Sequence, residues 1–226
     1  MYQPTNSNTR ATVAYIAPFA AFVAAMAIER VIPVPAQWLY SLRFCIVLAL
    51  IVALSRPYLT SRPSYPLASV AIGVAVFVIW VAPDVLFGYR ESWLFNNSIT
   101  GSAASSLPPH LKKNFAFITI RCISSFGLVP ILEELFWRGW LMRWLIDREF
   151  LKVPLGTYAR SAFWIVAALF ASEHGPYWEV GLAAGIIYNW WIIRTRNLTD
   201  CILAHAVTNA VLSAYVLYTG QWQYWL

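Results

Sequence analysis

Residues Phe115 to Ile146 read FAFITIRCISSFGLVPILEELFWRGWLMRWLI. About twenty mostly apolar residues carry a helix across a hydrocarbon core of roughly 30 Å. This longer run predicts a tilted membrane span that continues into an interfacial helix. Yet Glu133, Glu134 and Arg138 stand in its middle. Charges inside a span cost several kcal/mol and persist where they are paired or do something. An apolar helix with a charged centre therefore sets the reading of the whole chain.

Six further apolar windows flank it, near Ala11 to Ile28, Gln37 to Leu54, Leu67 to Val81, Ser161 to Ser172, Val180 to Ile193 and Ile202 to Leu217. Together they predict an all-α fold, a polytopic membrane bundle of about seven helices within a single integral membrane domain over residues 1–226. The range is six to eight, because the two windows beside Gly175-Pro176 are short and must borrow flanking residues. No ten-residue alternating strands speak for a membrane barrel. The composition agrees, with 60% of the 226 residues hydrophobic and 12% charged, too apolar for a solvated soluble domain. Twelve Trp and twelve Tyr suit the two headgroup levels, and Trp38, Trp93, Trp222 and Trp225 flank apolar runs.

The net charge of +6 raises nucleic acid as a partner. The Lys and Arg residues are scattered between apolar runs rather than gathered on a soluble module. The expected partner is the lipid bilayer, with no nucleic acid. Counted by loop, Arg10, Arg56, Arg62, Arg138, Arg143, Arg148, Lys152, Arg160, Arg194 and Arg196 fall to one face, and Arg30, Arg90, Lys112 and Lys113 to the other. The positive-inside rule makes the first face cytoplasmic, which predicts a cytoplasmic N-terminus, an external C-terminal tail and, for a chain this compact, a bacterial plasma membrane. One basic group, Arg10, precedes an apolar run too long for a signal peptide, so the first span is expected to stay uncleaved. Asp84 to Asn114, rich in Ser, Asn, Gly and Pro, reads as an external loop. Cys45, Cys122 and Cys201 lack CxxC spacing and read as small buried apolar residues.

Ionisable and amide groups within the spans concentrate in three places: Glu133-Glu134 with Arg138, His174 after Phe170, and His205 with Asn209. Measured along the helices from Arg148, Arg160 and Arg196, Glu133, His174 and His205 lie roughly 22, 21 and 14 Å from the cytoplasmic face, all at middle depths. Residues four apart share a helix face, so Glu134 can pair with Arg138 and His205 projects beside Asn209. Glu133 has Trp137 at that spacing and needs a partner on another helix. Blander readings apply elsewhere. Arg43 and Arg121 lie near span ends, where snorkelling suffices; Glu173 reads as a helix-end or loop residue, and Asn189 as interhelical glue.

These motifs resemble the CAAX-protease and bacteriocin-processing (Abi) family of intramembrane proteases, whose pattern is EExxxR, then FxxxH, then HxxxN. Here they are Glu133 to Arg138, Phe170 to His174 and His205 to Asn209, and the resemblance covers roughly Pro130 to Leu212. It implies that residues 115–217 form the catalytic helices. Glu133 and His174 would activate a water, His205 and Asn209 would stabilise an oxyanion, and Glu134 and Arg138 would hold the site together or assist. The implied substrate is a peptide or C-terminal segment of a membrane-associated or lipidated protein, cut near its C-terminus. A desolvated carboxylate suits a general base, and imidazole and amide donors suit an oxyanion. The cofactor stays open: none is required, or a divalent metal such as zinc is held by Glu133, His174 and His205.

Two other functions compete. One is a catalytically silent immunity or partner protein, against which the intact set of polar residues argues. The other is a proton-coupled transporter, against which the lack of paired broken helices in matching halves argues.

Overall fold

A computed structural model describes residues 6–59, 61–105 and 107–225. Within them the chain forms seven main helices joined by short 3-10 turns, and the only bridge is an isolated one between Asn97 and Gly101. We label them α1 (Asn6–Glu29), α2 (Ala36–Tyr58), α3 (Pro66–Phe87), α4 (Phe115–Trp144), α5 (Arg160–Ser172), α6 (Trp178–Thr195) and α7 (Leu198–Thr219). Helices α1, α2, α3, α4 and α7 are each long and apolar enough to cross a membrane, and α5 is a shorter apolar helix. The protein is an integral membrane protein with a polytopic helical fold.

Helix α6 is long enough to cross but less apolar, and its place in the bundle explains why. It packs against α3, α5 and α7 and buries Val180, Gly181, Ala184, Gly185, Tyr188, Asn189, Trp191 and Ile192. A helix enclosed by protein need not be lipophilic. The outer helices show the opposite pattern, presenting Trp38, Leu67, Val78 and Phe115 on the surface.

Proline shapes two of the spans. In α2, Ile51–Ser55 widens into a π-helical segment just before Pro57. In α4, Ser124–Leu128 does the same before Pro130. A proline lacks an N–H and clashes with the carbonyl four residues back, so the turn before it opens. A second π-helical segment in α4, Leu135–Leu141, surrounds Arg138.

Close approach of α3 to α7 depends on Gly73. A Cβ there would lie 2.7 Å from the Val207 Cβ, and the Thr208 hydroxyl donates to the Gly73 carbonyl at 2.8 Å. Small residues allow this kind of backbone contact between membrane helices. At the end of the bundle near the α2–α3 connection, fully buried Asp200 accepts from the Ser64 and Tyr65 amides and the Ser69 hydroxyl, pinning that connection to the start of α7.

Two expectations need correction. Of the three free cysteines only Cys201 is buried; Cys45 lies exposed on α2 and Cys122 is intermediate. Arg43 does not snorkel outward. Its guanidinium turns inward, is 8% exposed, pairs with Glu29 at 3.0 Å and stacks on Phe22 and Tyr40. Arg121 likewise faces the Tyr40 and Trp225 rings. Aromatic faces and a carboxylate inside the bundle hold these cations better than an extended side chain reaching for the interface would.

Candidate active site

Four helices meet around Arg138. Its Nη1 donates to Glu134 Oε1 at 3.0 Å, the i to i+4 pair expected from the sequence, and both side chains are fully buried. Its Nε donates to Asn189 Oδ1 at 2.9 Å and its Nη2 to the Gly185 carbonyl at 3.3 Å. Asn189 in turn donates to the Phe163 carbonyl at 2.8 Å, which makes it the interhelical glue that the sequence suggests. The guanidinium lies 4.5 Å from the centre of the Phe170 ring. A charge removed from water needs this many partners, because every guanidinium donor left unmet costs free energy. Arg138 is therefore no loop charge, and it leaves the tally that orients the bundle.

The same Glu134 oxygen receives a bond from α7: His205 Nδ1 lies 2.9 Å from Oε1. A carboxylate can only accept, so Nδ1 carries the proton. His205 Nε2 then points to Glu133, 3.9 Å from its Oε2. The ring stacks on Tyr188 at 5.1 Å between centres, and the Tyr188 hydroxyl is joined to Thr208 at 2.7 Å. Glu133 Oε2 has no hydrogen-bond partner among the described residues. The partner that Glu133 lacks on its own helix comes, at a distance, from α7.

His174 lies in the turn after α5 rather than on the helix. Gly175 adopts a left-handed φ of 52° and Pro176 has no amide proton, so the helix stops at Ser172. His174 Nδ1 is 2.7 Å from the Phe170 carbonyl. A carbonyl only accepts, so this ring too places its proton on Nδ1 and leaves Nε2 as an acceptor. Gly181 of α6 makes room for it: a Cβ there would sit 3.1 Å from the imidazole. Phe170 touches both imidazoles, with ring centres 4.8 Å from His174 and 6.1 Å from His205.

A cavity of about 660 Å³ joins these groups. Glu133, His174, His205 and Asn209 all line it, with Phe170, Tyr188 and Thr208. Its walls also include the end of α1, the start of α2 and the first half of α4, with Trp80 of α3 and Tyr224 and Trp225 after α7, so it opens on the side of the bundle opposite the start of α1. Asn209 gives one amide proton to the Ser125 carbonyl at 2.9 Å and keeps a second. Glu134 and Arg138 stand behind the wall.

Sequence reasoning missed Glu173. It does cap the end of α5, as expected, but it also lines the cavity and accepts from the Trp137 indole at 3.1 Å. The signal is its position next to His174, which the Gly-Pro turn obscures. The candidate metal set fares differently. Among the described residues no group of three or more His, Cys, Asp or Glu side chains is arranged to hold a metal ion. Glu133, His174 and His205 share a cavity but do not converge as ligands.

A membrane helical bundle with carboxyl, imidazole and amide groups gathered on an internal cavity defines a class of intramembrane site. The model of the family described as type II CAAX prenyl endopeptidase Rce1-like matches residues 115–211. This stretch holds every motif residue from Glu133 to Asn209, and over it the chain is similar to that family of CAAX-type proteases. Neither the comparison with curated proteins nor that with solved structures gives a match.

Proposed function

We propose that the protein is an intramembrane endopeptidase that hydrolyses a peptide bond near the C-terminus of a membrane-associated or lipidated protein or peptide. One observation carries this reading: Glu133 turns a carboxyl with an unpartnered buried oxygen toward a cavity it shares with His174, His205 and Asn209. Desolvation of that kind suits a general base.

Glu133 takes a proton from a water that His174 Nε2 orients by accepting its second hydrogen. The hydroxide forms a bond to the scissile carbonyl carbon, and the carbonyl oxygen becomes an oxyanion. Asn209 donates to it through its remaining amide proton. His205 donates when its ring is doubly protonated, the form whose positive charge the Glu134 carboxylate at Nδ1 balances. Glu133 then passes its proton to the departing amine as the C–N bond breaks. Arg138 and Asn189 act through Glu134 as positioning residues.

The basic groups Arg10, Arg56, Arg62, Arg143, Arg148, Lys152, Arg160, Arg194 and Arg196 favour a cytoplasmic N-terminus in a bacterial plasma membrane. In that orientation the cavity opens away from the cytoplasm, which favours a substrate segment presented from outside. A phosphatase fused to the C-terminus is then active in the periplasm. Activity only from a cytoplasmic reporter would invert the arrangement.

The test of the chemistry is cleavage of membrane-anchored peptides by protein in liposomes. Glu133→Gln keeps shape and some hydrogen bonding while removing the base, so turnover falls at least about a hundredfold with folding intact. A folded Glu133→Gln variant that cleaves at the normal rate would sink the mechanism.

A further inference from the structure

Hydrolysis at this site needs one water held by groups on two different elements, Glu133 on α4 and His174 in the turn after α5. A water bridges them only while both stay within about 2.6 to 3.2 Å of it. Inside the turn, the His174 amide donates to the Ala171 carbonyl at 3.1 Å and the Tyr177 amide to the His174 carbonyl at 2.9 Å. These bonds shape the turn without tying it to α4. Glu173 supplies such a tie, because its Oε1 accepts from the Trp137 indole at 3.1 Å. Trp137 follows Glu133 by four residues and shares its helix face. The indole has little room to move: it is 6% exposed and packs edge-on against Phe19 and Phe136, with ring centres 5.5 and 4.7 Å away.

We propose that Trp137 and Glu173 are positioning residues that hold His174 opposite Glu133 across the attacking water. Glu173 directly precedes His174, so what holds its carboxyl holds the backbone on which the imidazole stands. Such an anchor acts on the rate out of proportion to its own strength, since displacing a reacting group by about 1 Å costs on the order of a hundredfold. The bond requires an acceptor oxygen at residue 173 and an N–H donor at residue 137, but no charge. Glu173→Gln therefore keeps it, Glu173→Leu removes the acceptor, and Trp137→Phe removes the donor while leaving an aromatic ring among its neighbours. A carboxylate that instead bound a cation of the substrate, or gave up a proton, would need its charge and would be lost in Glu173→Gln.

The inference rests on the peptidase reading, and two readouts on full-length protein in phosphatidylcholine liposomes separate them. The first is cleavage of one membrane-anchored peptide. Trp137→Phe and Glu173→Leu should each lower kcat by at least about tenfold, with KM within about twofold of the wild type. The double variant should be no slower than the slower single one, because both substitutions break the same bond. Glu173→Gln should recover most of what Glu173→Leu loses. The second readout needs no cleavage: NMR of isotopically labelled histidine, in a chain that has three, His110, His174 and His205, with His174→Gln assigning the signals. Trp137→Phe and Glu173→Leu should shift or broaden the His174 imidazole signals and leave those of His205, held by Glu134, in place. Trp137→Phe decides by itself if Glu173→Leu fails to fold. The anchor is overturned if Glu173→Gln is as slow as Glu173→Leu, which would give the charge itself a part, or if the two losses multiply in the double variant. It is overturned equally if the His174 signals are the same in the wild type and both variants. A wild-type protein that cleaves nothing, but whose His174 signals respond to both substitutions, would keep the anchor and remove the peptidase.

Discussion

Arg138 and Arg90 are both buried guanidiniums, yet they organise different kinds of place. Arg90 sits where α3 ends, 2.8 Å from Glu179 and 3.3 Å from Asp84, donates to the Pro176 carbonyl and lies 4.0 Å from the centre of the Tyr177 ring. Its two carboxylates are partly exposed, at 21% and 13%. It ties the end of α3 to the turn before α6. Arg138 has a single carboxylate, fully buried and shared with an imidazole. Next to it Glu133 and Glu134 each keep a buried oxygen without a hydrogen-bond partner among the described residues. The first arrangement uses its polar groups to join helices, with only the Arg90 Nε making an ion pair without a hydrogen bond. The second leaves polar capacity unused, facing or backing a cavity, which is what a reacting group would require.

Substitution of the two arginines tests that contrast most strongly. Arg138→Ala strands Glu134 in the bundle, and breaking a buried pair costs on the order of 3 to 5 kcal/mol. The variant should lose thermal stability in detergent together with all measurable cleavage. Arg90→Ala leaves carboxylates that water can reach, so its cost should be nearer to about 1.5 to 3 kcal/mol, that of hydrogen bonds to charged groups. It should keep most of its turnover per folded molecule. Melting curves and turnover measured on both variants in one detergent decide the matter. If Arg90→Ala abolishes cleavage while staying folded, the division between a structural and a functional arginine fails.

One of these two regions is legible in the sequence and the other is hidden. Glu134 and Arg138 declare themselves because helical spacing alone places them together inside an apolar run. Glu133 is legible for the converse reason, having Trp137 where a partner would be. The helices themselves can be read to within a few residues at most ends, since membrane spans are written in composition. Glu179 is far in sequence from Arg90 and Asp84, and all three fall in or near polar connections, where charge is ordinary. Glu173 is obscured because the Gly175-Pro176 turn folds it back onto the cavity, and Arg43 because its partners, Glu29 and two aromatic rings, depend on how α1 meets α2. Spacing within one helix reports local pairing, but only packing reports which helix faces which.

A smaller effect separates the groups that touch the reacting atoms from those behind them. His205→Ala and Asn209→Ala each remove a donor proposed to meet the oxyanion, and each should lower turnover by about a hundredfold to a thousandfold, or roughly 2.7 to 4 kcal/mol in barrier. Substrate binding should be largely retained. His205→Ala should also cost some stability, since Glu134 Oε1 loses one of its two side-chain partners. Asn209→Ala, which gives up a bond to the Ser125 carbonyl at the cavity wall, should be milder in stability. A loss expressed only as weaker binding would remove both residues from the oxyanion role.

The smallest expected effect is none at all, on treatment with a strong chelator. Each imidazole fixes a proton on Nδ1 by bonding Glu134 or the Phe170 carbonyl, which in the neutral rings leaves two Nε2 lone pairs available to a water or to a metal. The position of the third group distinguishes these uses. Glu133 Oε2 stands 3.9 Å from His205 Nε2, and no set of three His, Cys, Asp or Glu side chains among the described residues gathers as ligands. Zinc ligands sit at about 2.0 to 2.2 Å from the ion for nitrogen and oxygen donors, so a site would require these side chains to regroup. A water needs only hydrogen-bond reach to Glu133 and His174 in turn. Purified protein dialysed exhaustively against the chelator should therefore cleave at an unchanged rate and keep its melting temperature. A loss of turnover restored by zinc, and not by magnesium or calcium, would show that Glu133, His174 and His205 do regroup as ligands and would replace the water mechanism set out above.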